Sequence, residues 1–176
     1  MIALYTATVR AMQQQIDATA RLLDKAAAFA TEHDRDVQTL IDARLAPDMH
    51  DFAYQVKSVA VHSIGAIEGV RAGLFTPDQT PPPADLAGLH ARLAATQAAL
   101  AAIDPAEVDR FVGRDMAFGF GDRRFPYLAE DFLLSFSLPN LYFHAATAYG
   151  ILRAQGVPLS KPDFLGRPRF RAAGTA

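Results

Sequence analysis

Apolar and small residues recur every three or four positions through the first thirty residues of the chain. This spacing places them along one stripe of an α-helix, because each residue of a helix turns by about 100°. The stripe consists of Ile2, Tyr5, Val9, Met12, Ile16, Thr19, Leu23, Ala26 and Ala30. A long helix with one apolar face has to pack against other helices, so the pattern favours an all-α fold.

Two more segments in the middle of the chain show the same periodicity. A second helix is predicted between Asp48, its N-cap, and Gly73, the residue that ends it, with its apolar seam over 52–70. A third helix is predicted over 86–103, where a leucine seam is surrounded by alanines that have high intrinsic helicity. Together with the first helix, these segments predict an antiparallel helical bundle.

The fourth predicted helix, over 129–155, is apolar around most of its circumference. Such a helix is expected to be buried on most sides. Pro139 lies inside it and lacks the amide donor that a helix needs, so a kink is expected there. Glycine and proline residues after Val157 predict an arm that lies over the bundle, and residues 171–176 are expected to form a disordered tail.

Two segments between the helices break the helical pattern. Residues 76–83 contain four prolines and are predicted to connect the second and third helices without regular structure. Over 116–127 apolar residues alternate with small ones, and Gly121 and Asp122 offer a two-residue turn. A small β-hairpin is therefore predicted between helices 3 and 4, and residues 1–170 are expected to form one domain.

Composition argues against several classes of partner. The 176 residues include 17 Lys and Arg and 19 Asp and Glu, a net charge of -2 that favours neither nucleic acid nor an anionic membrane surface. No stretch approaches the roughly 18 to 20 apolar residues that span a membrane. The chain has no cysteine, which leaves His, Asp and Glu as the strong metal ligands. A cytoplasmic location is expected, because the first ten residues lack the pattern of a signal peptide.

Polar side chains interrupt the apolar fourth helix. Asn140, His144 and Thr147 stand at i, i+4 and i+7, which places them on one helix face. Gln55 and His62 flank the core seam of the second helix and could face the same interior. Because buried polar groups need partners, these five residues are predicted to form a small-molecule pocket. The alternative is that His144 is a core histidine and His62 a partly exposed flanking residue.

A metal site of the helical-bundle type requires a second histidine or a carboxylate three or four positions from His144. Those positions are Thr147 and Ala148. His50 is twelve residues from His62, and on an ideal helix the two point about 120° apart. No firmly bound metal or other cofactor is therefore expected, and His62 and His144 are the candidate ligands if a metal does bind.

Two long motifs resemble a known family. The segment LPNLYFHAATAYGILR at 138–153, followed by GVP at 156–158 and DFLG at 163–166, resembles a bacterial domain of unknown function in the DinB/YfiT-like superfamily of four-helix bundles. LLDKA at 22–26 and ARLAPDM at 43–49 extend the likeness over nearly the whole chain. The resemblance implies an up-down-down-up four-helix bundle that frequently forms a homodimer.

Many members of that superfamily resemble metalloenzymes with one histidine on helix 2 and two on the last helix. Only His62 and His144 of this chain match those positions, and Ala148 stands where the third histidine would be expected. One hypothesis is therefore a homodimer with a small-molecule pocket and no firmly bound metal. A second is a Zn²⁺- or Ni²⁺-dependent enzyme that performs thiol transfer or hydrolysis. A third is a structural dimerisation module that uses exposed faces of helices 1 and 2.

Overall fold

The chain folds mostly into helices, with one small sheet beside them. The computed structural model describes residues 2–171. Its helices are α1 (Leu4–Ala7), α2 (Val9–Glu32), α3 (Gln38–Ile41), α4 (Phe52–Ala60), α5 (Ala66–Ala72), α6 (Leu86–Ala101), α7 (Pro105–Asp109), α8 (Ala129–Asp131), α9 (Leu138–Ala154) and α10 (Lys161–Leu165). Of the predicted disordered tail, 171–176, the last five residues lie outside the described part of the chain.

Two π-helical turns interrupt the long helices, and neither was predicted. One turn, π1 (Val61–Gly65), joins α4 to α5, and the other, π2 (Phe132–Ser137), joins α8 to α9. A π-helical turn inserts an extra residue into the helix and is found frequently at functional sites. The hydroxyl of Ser137 donates to the backbone carbonyl of His62 across 2.9 Å. The two turns are therefore held side by side.

Pro139 explains where the second π-helical turn lies. It is the second residue of α9, directly after π2. A proline inside a continuous α-helix removes one backbone donor and clashes with the preceding turn. The wider turn of π2 comes immediately before that position, so the helical segment continues past Pro139 with a local change of geometry.

The second helical segment begins at Phe52 and not directly after Asp48. Asp51 is the N-cap, because its side chain accepts a hydrogen bond from the backbone N–H of Tyr54 across 2.9 Å. The prediction that Asp48 caps this helix was wrong, since Pro47 and Asp48 lie in a turn and the helix begins only after Asp51. At the other end Gly73 has a φ of 72°, a left-handed conformation that ends the segment as predicted.

The sheet has three strands, namely β1 (Leu74–Phe75), β2 (Asp115–Phe120) and β3 (Arg123–Leu128). Strands β2 and β3 pair antiparallel across the turn at Gly121 and Asp122. Strand β1 pairs parallel with β2, which places Phe75 beside Phe118. The sequence did not predict β1, because two residues are too few to show an alternating pattern.

The core lies where the long helices meet. Helix α4 packs mainly against α9, and α2 packs mainly against α6 and also contacts α9. Among the largest fully buried side chains are Met12, Ile16, Leu22, Leu23, Phe52, Leu89, Phe111 and Phe132. Within residues 2–171, no helix is both long and apolar enough to cross a membrane.

Candidate functional site

A cavity of about 210 Å³ lies where α4, the two π-helical turns, the sheet and α9 come together. Its lining residues come from both halves of the chain. They are Tyr54, Lys57, Ser58, Val61, His62, Phe75, Pro77, Asp78, Phe118, Phe136, Asn140 and His144. The lining combines two imidazoles and other polar groups with a cluster of aromatic rings.

Two consecutive hydrogen bonds orient the ring of His144 and determine which of its nitrogens carries the proton. Nδ1 of His144 lies 2.8 Å from the side-chain oxygen Oε1 of Gln55. The amide nitrogen of Gln55 donates to the backbone carbonyl of His50 across 3.1 Å. A backbone carbonyl only accepts, so this contact sets the orientation of the Gln55 amide and makes Oε1 the acceptor. His144 therefore carries its proton on Nδ1, and Nε2 keeps its lone pair.

The second imidazole, His62, lies between His144 and the aromatic rings. Its ring centroid is 5.6 Å from that of His144, with the two planes inclined by 15°. The ring centroid of His62 also lies 5.6 Å from that of Phe75 and 5.9 Å from that of Phe136. Its Nδ1 atom is buried and has no hydrogen-bond partner within the described residues. A buried polar atom without a partner is costly, which makes this atom a candidate contact for a ligand or a water molecule.

Burial keeps both imidazoles uncharged near neutral pH. Burial, with a smaller contribution from the neighbouring His144, lowers the pKa of His62 from 6.5 to about 4. Burial likewise lowers the pKa of His144 to about 4, with an additional effect of His50. Since desolvation disfavours the charged form of a histidine, both rings act as neutral donors and acceptors rather than as cations.

Lys57 is a lysine buried in the wall of the cavity, with only 2% of its surface exposed. Its amine donates to the backbone carbonyls of Asp78 and Thr80 and lies 3.2 Å from the Asp78 carboxylate. Burial by itself would raise the pKa of Asp78, but hydrogen bonds from Thr80 and Lys57, together with the charge of Lys57, lower it. Lys57 thus fastens the proline-rich segment 76–83 to α4, and its charge is already matched.

Aromatic rings form the apolar part of the cavity. The ring of Phe118 lies 4.8 Å from that of Phe136 and 6.3 Å from that of Phe75. Phe75 and Phe118 are neighbours because β1 pairs with β2, whereas Phe136 comes from π2. Such ring clusters favour flat apolar ligands, because aromatic rings stack or meet edge to face at these distances.

The structure brings together three of the five predicted site residues, since His62, Asn140 and His144 line the same cavity. Gln55 lies behind His144 and positions it. Thr147 does not line the cavity, because its hydroxyl donates to the carbonyl of Phe143 in its own helix across 2.8 Å. The involvement of these residues in ligand binding stays a prediction.

Several lining residues were not predicted from the sequence. Lys57 was missed because a lysine on a helix flank is ordinarily solvated, and its partner Asp78 lies in a segment without periodicity. Phe75 and Phe118 were missed because the pairing of β1 with β2 is non-local. The one available signal was that Lys57 is the only Lys, Arg, Asp or Glu between Phe52 and Ile67 of the second helix.

The side chains do not form the three-histidine metal site that the superfamily resemblance suggests. Within residues 2–171, no three His, Asp or Glu side chains converge on a point that could hold a metal ion. Catalytic zinc sites ordinarily use three protein ligands and an open position. Here His62 and His144 supply two imidazoles, and Ala148, one turn after His144, is a buried alanine with no donor atom.

A second depression of about 360 Å³ lies along the outer side of π1 and α5. Its charged lining residues are Glu68, Asp78 and Arg92, and the side chains of Asp78 and Arg92 lie 3.7 Å apart. Neither His62 nor His144 lines this depression. We therefore consider the smaller cavity, with its neutral imidazole pair, the better candidate for chemistry.

The fold and sequence relate the chain to known proteins. A crystal structure of a DinB family member protein from Shewanella denitrificans matches it with a TM-score of 0.82 and 27% sequence identity, over 97% of this chain and 96% of that chain. The chain therefore has a DinB-like fold. Residues 4–165 match the domain of unknown function DUF1993, and the chain belongs to that family. Both results confirm the resemblance seen in the sequence, and no protein with a curated description matches the chain.

Proposed function

We propose that the protein binds a small molecule in the cavity beside His144, without a firmly held metal ion. The observation that carries this proposal is the meeting of His62, Asn140 and His144 at one cavity of about 210 Å³. Ligand pockets are concave, largely apolar and carry a few polar groups that orient the ligand. The aromatic cluster and the neutral imidazole pair match that description.

A fragment titration followed by ¹H–¹⁵N NMR tests the proposal. Phenol, benzamide, benzoate and imidazole would each be added to the isotopically labelled protein at millimolar concentration, where weak binding is detectable. We expect at least one fragment to shift the amide resonances of Tyr54, His62 and Phe136 in a saturable manner. The control variant is His90→Gln, which changes a partly exposed histidine on α6 and should leave these shifts as they are in the unmodified protein. The proposal fails if every fragment leaves the cavity resonances unchanged.

The rival proposal is a metal-dependent enzyme that performs thiol transfer or hydrolysis on a small molecule, with His62 and His144 holding Zn²⁺ or Ni²⁺. It is favoured by one observation, the lone pair that the Gln55 contact leaves on Nε2 of His144. A metal-bound histidine commonly donates its other ring N–H to an oxygen in this way. Two imidazoles 5.6 Å apart form an incomplete ligand set, so water or a partner group would have to complete it.

Elemental analysis by mass spectrometry separates the two proposals. The untagged protein would be purified without chelators and compared with a His144→Ala variant of the same fold, as judged by circular dichroism. Near-stoichiometric zinc or nickel that is lost in the variant would support the enzyme. Metal below one tenth of an equivalent in both proteins would contradict it.

We also propose the finer arrangement of the bundle, an up-down-down-up order with the β2–β3 hairpin between the third and fourth long helices. The packing of α4 on α9 and of α2 on α6 supports this order, as does the similarity to the DinB family structure.

We also propose that the protein forms a homodimer, which is supported by exposed apolar side chains at Leu134, Tyr142 and Phe143. Sedimentation equilibrium at micromolar concentration tests it, and a monodisperse monomer would contradict it.

The purely structural alternative, dimerisation through exposed faces of the first two long helices, has less support from the surface. In the described part of the chain, the exposed large apolar residues lie outside α2, α4 and α5. Stable dimer interfaces are typically apolar at their centre. A dimer that persists after Tyr142→Lys but dissociates after charge-reversing substitutions on α2 would nevertheless favour this alternative.

A further inference from the structure

We propose that the cavity beside His144 selects an uncharged single-ring ligand that donates a hydrogen bond, of the chemical class of the phenols. This inference rests on the proposed small-molecule function and narrows it to one kind of ligand. It follows from the hydrogen-bonding state of two side chains, the pairing of the nearby charges and the shape of the cavity.

The first step is the acceptor at His144. Its Nδ1 proton is committed to Oε1 of Gln55, which itself is oriented by the carbonyl of His50. His144 lines the cavity and Gln55 does not, and the ring edge opposite Nδ1 makes no hydrogen bond to the described residues. That edge carries Nε2 with a lone pair, and a neutral imidazole accepts at such a nitrogen. The matching ligand atom has to be a donor.

The second step is a further acceptor one turn earlier on α9. The amide nitrogen of Asn140 donates to the carbonyl of Phe136 across 2.8 Å, which fixes the orientation of that amide. Oδ1 of Asn140 accepts no hydrogen bond from any residue of the described part of the chain. Both side chains that α9 contributes to the cavity therefore offer acceptors.

The third step concerns charge. Lys57 is the cation of the lining, and it is already bound by the Asp78 carboxylate and by two backbone carbonyls. Asp78 also lines the cavity, and its carboxylate lies 3.2 Å from the amine of Lys57 and 3.7 Å from the guanidinium of Arg92. An anionic ligand would lose its hydration without gaining a cation that is free of partners, which is unfavourable in a partly buried site. The charge pattern consequently disfavours carboxylates, sulfonates and phosphates.

The fourth step is size and shape. A cavity of about 150 Å³ holds benzene in a well-studied protein core, so the 210 Å³ here is sufficient for one ring with one or two small substituents. The rings of Phe75, Phe118 and Phe136 supply an aromatic surface for such a ring. A phenol combines the flat apolar ring with one hydroxyl, which donates to the acceptors on α9 and can accept from the N–H of the neutral His62.

Three para-substituted toluenes test the inference on the unmodified protein. These are p-cresol, which is a neutral donor, 4-fluorotoluene, which lacks a donor, and p-toluate, which is an anion. Dissociation constants would be measured at pH 7.5 from ¹H–¹⁵N chemical-shift titrations of the cavity amides. We expect p-cresol to bind about tenfold more tightly than the other two, in line with one buried hydrogen bond.

The variant His144→Phe keeps a ring of similar size but removes the acceptor. In this variant the affinity for p-cresol is expected to fall about tenfold, while the affinity for 4-fluorotoluene changes by less than about twofold. His90→Gln serves as the control and should change neither value. If His144→Phe does not fold, the comparison of the three ligands on the unmodified protein still decides the question.

The outcomes distinguish this inference from the function on which it rests. If 4-fluorotoluene or p-toluate binds in the cavity as tightly as p-cresol, selection for a donor is wrong and the binding function stands. If none of the three ligands shifts the cavity resonances, both the inference and the proposed binding function are contradicted. Preferential binding of p-cresol that depends on His144 supports both.

Discussion

The side-chain oxygen of Gln55 on α4 accepts the Nδ1 proton of His144 on α9 across 2.8 Å. A glutamine is uncharged, so it orients the imidazole without stabilising its protonated form. In many enzymes a carboxylate takes this position and favours the imidazolium. Burial lowers the pKa of His144, and an uncharged amide does not offset that effect, so the second nitrogen stays an acceptor.

Replacing Gln55 by glutamate should therefore raise the pKa of His144. A carboxylate within hydrogen-bonding distance favours the charged imidazole, and such a neighbour typically shifts a pKa by about one to three units. From its present value of about 4, the pKa of His144 should move upward by at least one unit. The titration of the His144 ring resonances by NMR measures this shift directly.

The matched control for this experiment is Gln13→Glu, which adds the same charge on α2, outside the lining of the cavity. It should leave the pKa of His144 within about 0.3 units, because the added carboxylate sits on a half-buried side chain outside the cavity, where solvent and salt screen its charge. An unchanged pKa in Gln55→Glu would show that this glutamine does not hold His144 in solution.

The two depressed histidine pKa values predict that the protein loses stability in mildly acidic solution. In the unfolded chain a histidine titrates near 6.5, whereas His62 and His144 titrate at about 4 in the folded protein. Above pH 6.5 both states are neutral and the full stability is present. As the pH falls from 6.5 toward 4, the unfolded state binds protons first, so the free energy of unfolding decreases.

For the pair this loss amounts to roughly 2 to 4 kcal/mol between pH 7 and pH 5, because one pKa unit corresponds to about 1.4 kcal/mol. Urea denaturation at both pH values measures it. The pKa values of Asp78 and Asp163 are lowered, so these carboxylates contribute mainly at more acidic pH. In the double variant His62→Asn, His144→Asn the difference between the two pH values should shrink to less than half, and an undiminished difference would refute this explanation.

The sequence predicted the helices well where the apolar spacing was regular, as in the stripe that includes Met12, Ile16 and Leu23. It did not predict the two π-helical turns, because an extra residue in a helix leaves no periodic signature over five or six positions. It also missed α7 and α10, since helices of five residues depend on their caps and on tertiary contacts.

For the candidate site, too, the sequence predicted the residues that follow helical spacing and missed those that depend on distant contacts. Helical spacing was sufficient to group Asn140 with His144 and to point Gln55 and His62 toward them. It could not show that Thr147 would satisfy its hydroxyl within its own helix, because a buried threonine has that option at any helical position. The walls at Lys57 and Phe75 depend on contacts with a loop and a strand that are distant in sequence, and such contacts are absent from local patterns.

Lys57 should be essential for the attachment of the proline-rich segment 76–83. In Lys57→Met the carbonyls of Asp78 and Thr80 lose their donor, and leaving such groups unsatisfied costs about 1 to 3 kcal/mol. We expect a corresponding decrease in the free energy of unfolding and faster amide exchange in the segment. Lys161→Met, at an exposed position on α10, is the control and should change stability by less than about 0.5 kcal/mol.

A double variant tests whether the side chains of Lys57 and Asp78 interact directly. If Lys57 acts partly by neutralising the Asp78 carboxylate, then Asp78→Asn should cost less in the Lys57→Met background than in the unmodified protein. The coupling between two such neighbours is commonly about 0.5 to 3 kcal/mol. Strictly additive effects would show that the pair does not interact in solution.

Two glycines on the second helical segment should respond in opposite directions to alanine. In Gly69→Ala the new Cβ would lie 2.8 Å from Cβ of the buried Phe75, closer than such atoms approach. Either the helix or β1 must shift, which costs about 1 to 3 kcal/mol and moves one wall of the cavity. In Gly65→Ala the nearest heavy atom, Cγ1 of Val61, is 4.0 Å away, so alanine fits and stabilises by about 0.5 to 1 kcal/mol. Urea denaturation of both variants measures these changes, and a stabilised Gly69→Ala protein would show that β1 does not pack against α5 as described.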